Sequence, residues 1–142
     1  MDVLIVERDK LVGSMLADTL DAEGVSAVVL PDEEALKLPP AEAPRLIITG
    51  INRGHSEDLC GLKLVSTLRR KWPQLSALYL AALWPAHLRD GKLAAGERFL
   101  TKPVRLAQMT DTVHELLDSG LCGRPAISND APPRGPKAAR AR

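Results

Sequence analysis

Apolar residues recur along this chain in two alternating rhythms. Short, mainly apolar runs (Val3–Val6, then 25–30, 46–49, 77–80 and 99–101) read as strands, the first fit to be buried on both faces. Between them the spacing turns helical. Asp9 caps a pattern with apolar positions Leu11, Val12, Met15, Leu16 and Leu20 that ends at Gly24. Pro31-Asp32-Glu33-Glu34 opens a short helix that stops before Pro39-Pro40. Leu59, Leu62, Val65 and Leu68 share one face of a third helix, closed by Trp72-Pro73. A brief helix is predicted over 85–93. Leu106, Met109, Val113, Leu116 and Leu117 then mark the clearest amphipathic helix of the chain. Five βα units in succession predict an α/β fold with a parallel sheet and helices on both faces.

The 142 residues are 45% hydrophobic, enough for one compact domain with a proper core. Net charge is +1, which gives no global reason to expect nucleic acid or a membrane as partner. That average conceals a split. Arg124, Arg134, Lys137, Arg140 and Arg142 stand against Asp130 in residues 120–142, while the first 119 residues hold fourteen cations and seventeen acids. Residues 120–142 are rich in Pro, Gly, Ala and Arg with little to bury, and read as a disordered basic tail behind a domain over 1–119. Cys60 and Cys122 have neither CxxC nor histidine at ligand spacing. With no signal peptide and no apolar run near 18 residues, a reduced, cytoplasmic setting is expected.

An open parallel sheet places its site beyond the C-terminal ends of its strands. Topology alone therefore nominates Glu7 and Arg8 after the first strand, Gly50 after the third, Ala81 after the fourth and Lys102 after the fifth. Around these positions the chain resembles the CheY-like receiver domain of two-component response regulators, from about Asp2 to Ser119. The resemblance rests on Val3-Leu4-Ile5-Val6-Glu7, Leu46-Ile47-Ile48-Thr49-x-Ile51-Asn52, Gly61-Leu62-Lys63-Leu64, Arg69-Arg70-x-Trp72-Pro73 and Phe99-Leu100-Thr101-Lys102-Pro103. Each is weak alone; five in the right order are specific. It implies a flavodoxin-like (βα)5 sandwich with strand order 2-1-3-4-5, and a cis bond before Pro103.

Receiver chemistry calls for two acids after the first strand, a phosphoacceptor aspartate after the third, a hydroxyl after the fourth and a lysine after the fifth. The carboxylates hold Mg²⁺, and the hydroxyl and lysine hold the phosphoryl oxygens as charge develops. Mapped residue by residue, Glu7 keeps one acid and Lys102 the lysine. Arg8 replaces the second acid, Gly50 the nucleophile and Ala81 the hydroxyl. Glu7, Arg8 and Lys102 would leave the pocket at +1 in place of the usual −2. Like charges at ~4 Å repel by roughly 4 kcal/mol at an effective dielectric near 20, so loss of Mg²⁺ binding is expected, with Glu7 ion-paired to Arg8, Lys102 or both.

The resemblance thus implies a degenerate receiver, not an enzyme, that acts as a phosphorylation-independent interaction module. Its expected partner is a histidine kinase, a phosphotransferase or another regulator, with a homodimer possible and neither nucleic acid nor membrane involved. The expected interaction face spans Trp84 to Leu117, with Trp84, Phe99, Arg105 and Met109 as its markers. No output domain follows in the sequence, so transcriptional control by this chain alone is not expected. The loop over 51–60 is about three residues longer than in typical receivers and lacks the customary proline. His55 and His87 read as surface residues. Glu57 and Asp58 make poor substitute acceptors, and Ser14, Ser56 and Ser66 have no arranged base. The alternative is an anion- or nucleotide-sensing domain that uses Arg8, Lys102 and backbone amides near Gly50. Against a nucleotide stands the absence of a glycine-rich loop after the first strand.

Overall fold

The computed structural model describes residues 1–51, 60–82 and 96–119. Five strands, β1 (Val3–Val6), β2 (Ala27–Val29), β3 (Leu46–Gly50), β4 (Ser76–Ala81) and β5 (Glu97–Thr101), form one sheet in the order β2-β1-β3-β4-β5. Every neighbouring pair is parallel. The described helices are α1 (Lys10–Ala22), α2 (Asp32–Leu36), α3 (Cys60–Lys71) and α4 (Leu106–Ser119). The expected helix over 85–93, most of the long loop over 51–60, and the tail lie outside the described residues.

Two apolar layers sandwich the sheet, because successive strand residues point to opposite faces. Leu4, Val6, Ile47, Ile51, Ala77, Tyr79 and Ala81 pack with Leu64, Val65 and Leu68 of α3. Val3, Ile5, Leu46, Ile48, Leu78, Leu80 and Leu100 pack with Leu16 and Leu20 of α1 and Met109, Val113, Leu116 and Leu117 of α4. Strands β1, β3 and β4 are wholly buried, which explains why they read as unbroken apolar runs.

Helix α1 starts where Asp9 accepts hydrogen bonds from the backbone of Leu11 and Val12 (2.9 and 3.3 Å). It ends in a Schellman motif: Val25 N donates to Leu20 O, Gly24 N to Asp21 O, and Gly24 sits at φ +81°. That turn uses Val25 to close the helix, so β2 is shorter than the 25–30 run predicted. Two of α1's expected apolar positions also face outward. Leu11 is 82% exposed and Met15 is 45% exposed. At about 100° per residue they lie across the helix from Gly13, Leu16 and Leu20, which meet the sheet.

The C-terminal ends of α2 and α3 are clamped together. Lys71 Nζ donates to Leu36 O and Leu38 O (3.0 and 2.6 Å) and lies 4.7 Å from the centre of the Trp72 ring. Trp72 Nε1 donates to Pro40 O at 3.1 Å. A cation on terminal helix carbonyls is favourable on both hydrogen-bonding and dipole grounds. No described helix is long and apolar enough to cross a membrane.

Candidate functional site

The C-terminal ends of β1, β3, β4 and β5 bring the five nominated positions to one edge of the sheet. Gly50 and Ala81 are the last residues of β3 and β4, and both are buried. Glu7 and Lys102 follow β1 and β5 directly. Strands β1 and β5 are three strand spacings apart, about 14 Å at about 4.8 Å per spacing. Glu7 and Lys102 nevertheless meet: Lys102 Nζ lies 3.8 Å from Glu7 Oε1. The two long side chains reach towards each other across the ends of β3 and β4, where Gly50 and Ala81 supply nothing larger than a methyl group. The expected pairing of Glu7 with Lys102 is thus present.

Glu7 is held from its own side of the sheet. Its Oε2 accepts from Asp9 N at 3.1 Å, which couples the carboxylate to the cap of α1. Its side chain is 7% exposed, and its Oε1 is buried without a hydrogen-bond partner. Arg8 is exposed. The Lys102–Pro103 peptide bond is cis, and Lys102 N donates to Ala81 O at 3.0 Å, tying the lysine's backbone to the end of β4.

Close packing fixes the end of β3. A Cβ on Gly61 would lie 1.8 Å from Gly50 O, so the first turn of α3 touches the strand's last carbonyl and only glycine fits there. Gly61 N also donates to Ile51 O at 2.9 Å. Thr49 Oγ1 donates to Gly50 O at 3.2 Å within the core.

Of the four markers of the expected interaction face, Phe99, Arg105 and Met109 fall among the described residues. Met109 is a correction: it is fully buried between α4 and the sheet, because the helix's apolar stripe, on which it lies, is its packing face. Phe99 is half-buried against the α3-side core, and Arg105 is exposed just before α4. Trp84, His55, Ser56, Glu57, Asp58 and His87 lie outside the described residues.

A buried polar network escaped the sequence reading. Tyr79 on β4 donates its hydroxyl to Glu97 Oε2 on β5 at 2.9 Å, and Arg69 on α3 donates to the same oxygen at 2.8 Å. Arg69 Nε and Nη2 also donate to Leu75 O at 3.0 and 2.8 Å. Burial, followed by the charge of Glu97 and the bond donated to it, drives the Tyr79 phenol far above its ordinary range, with Arg69 partly opposing. Glu97 lies two residues ahead of the apolar run that marked β5, and Arg69 figured only in the Arg69-Arg70-x-Trp72-Pro73 motif. Only their pairing across the fold joins them.

No protein-family model matches the sequence, and a search of curated proteins finds no match. Solved structures do match, and they share one architecture. A response regulator receiver protein from Sinorhizobium medicae WSM419 is 18% identical with a TM-score of 0.68, covering 82% of this chain and 94% of that one. The receiver domain of NtrX from Brucella abortus is 22% identical with a TM-score of 0.67, covering 83% and 99%. The chemotaxis protein CheY4 of Vibrio cholerae is 22% identical with a TM-score of 0.66, covering 80% and 96%. The chain has the receiver-domain fold.

Proposed function

We propose that this chain is a pseudo-receiver of two-component signalling, a protein-docking module that works without being phosphorylated. One observation carries the reading: the strand end that would deliver the phosphoacceptor is Gly50, and the lysine that would hold the phosphoryl group is turned to Glu7. The hydroxyl position is Ala81, whose methyl can donate nothing.

The residues present do not fit Mg²⁺. A hard dication needs several oxygen donors in octahedral array. Here Glu7 offers one free carboxylate oxygen, and that oxygen is 3.8 Å from an ammonium group. The neighbouring Asp9 carboxylate is engaged as a helix cap. No cluster of three or more His, Cys, Asp or Glu able to hold a metal occurs among the described residues. The anion-sensing alternative draws on the exposed Arg8, but an anion beside Lys102 would have to displace Glu7, so docking is the better-supported reading.

The partner class is a kinase, a phosphotransferase or another regulator that reads a constant surface in the cytoplasm. Incubation with acetyl phosphate and Mg²⁺, followed by intact mass measurement, tests the reading. The expected result is no phosphoryl adduct on the wild type, and none on Gly50→Asp, because Arg8 and Ala81 still deny the metal and the hydroxyl. An adduct on the wild type overturns the proposal. An adduct on Gly50→Asp alone shows that Gly50 is the sole lesion and that the charge argument fails.

A further inference from the structure

The outer face of α1 carries a stripe that the core does not use. At 100° per residue, Leu11, Met15, Asp18 and Ala22 fall within about 60° of one another, and all four are exposed. Leu11 and Met15 form an apolar pair one turn apart, on the side away from the sheet. Below them the surface turns acidic. Asp18, Asp21 and Glu23 close α1, and α4 beside it carries Asp111, Glu115 and Asp118, all exposed. His114 of α4 lies 3.5 Å from Glu23 and brings the two helix ends together. Residues 16–23 and the whole of α4 contain neither Lys nor Arg, although a helix C-terminus favours cations.

A segment of complementary character begins directly after α4. Residues 120–142 hold five cations against one acid, with Leu121 and Ile127 as their large apolar residues. Reach is not limiting. Met15 lies about 12 Å back along α1 from Glu23, and neighbouring helices pack about 8–10 Å apart. The chain from Ser119 to Ile127 spans up to about 26–29 Å when extended. Arg124 would pass the acidic helix ends on the way. We infer that residues 120–142 dock in cis on this face, with Ile127 over Leu11 and Met15 and the cations facing the acids of α1 and α4. A protein that uses the outer face of α1 must first displace this segment. The inference is independent of the pseudo-receiver reading, which rests on the strand ends.

The test is NMR of the full chain, with ¹³C-edited NOE spectra for methyl contacts and ¹⁵N relaxation for backbone order. Cross-peaks between the Met15 ε-methyl and the Ile127 methyls are expected, unchanged on dilution. Order parameters over 124–128 should approach the ~0.85 of rigid backbone. They should fall below about 0.6 in the double variant Leu11→Ser/Met15→Ser and, separately, in Arg124→Glu. All three substitutions avoid the core, and an amide spectrum checks each fold. Order parameters below about 0.6 in the wild type overturn the inference, as does order that survives both variants. Cross-peaks that fade on dilution show that a second copy supplies the covering segment, and overturn docking in cis. None of these outcomes touches the strand-end chemistry, so the pseudo-receiver reading stands or falls separately.

Discussion

Tyr79 is the only tyrosine in the chain, so phenolate absorbance reports on it alone. Folded, its pKa lies far above the value of about 10 that it takes once unfolded. Raised in the native state, it contributes stability that is complete below pH ~10 and is lost as pH rises further, by about 1.4 kcal/mol per pH unit. In an alkaline titration the absorbance should appear only as the fold is lost. Tyr79→Phe should cost about 1–3 kcal/mol near neutrality by leaving the buried Glu97 one donor short. The gap between wild type and variant, measured by urea unfolding, should then narrow above pH 10. A phenol that ionises in the folded protein near pH 10 contradicts this. Ser76 is the opposite case. Its hydroxyl is buried at the start of β4 with no hydrogen-bond partner, so Ser76→Ala should be neutral or stabilising by up to about 1 kcal/mol. A clear loss of stability would mean that the hydroxyl has a partner after all.

At the scale of elements, the sequence spoke plainly where one pattern had one cause. The fully buried strands, the Asp9 cap and the Gly24 stop were legible because burial and backbone geometry each leave a local mark. Leu11 and Met15 misled because apolar residues at helical spacing need not all face inward, and Gly13, with nothing apolar to offer, belongs to the packing face. The clamp of Lys71 and Trp72 on the α2 end was illegible, since its acceptors are backbone carbonyls more than thirty residues away. Gly61 was quoted only as part of a motif, yet it sets how closely α3 meets β3. Gly61→Ala should destabilise by about 3 kcal/mol or more, because the clash is with backbone that cannot swing aside. A wild-type melting curve for that variant would show that the helix can lift away at no cost.

Across the whole molecule, the candidate site was legible as a set of positions and only partly as an arrangement. Strand order and the rule of strand ends placed Glu7, Gly50, Ala81 and Lys102 on one edge. That Glu7 would turn to Lys102 and leave one oxygen bare depends on distances across four strands, which no local pattern encodes. Of the expected docking face, Met109 serves the core, Phe99 is half-buried against it, and Trp84 lies outside the described residues. The central claim is that the receiver fold persists here with its phosphorylation chemistry given up. An amide NMR spectrum of the intact protein, recorded before and after addition of Mg²⁺ and then beryllofluoride, tests it most directly. The account predicts no saturable shift at Glu7, Gly50 or Lys102 with either addition. Saturable shifts at those residues would mean that the crevice still gathers a metal and a phosphoryl mimic, and would contradict it.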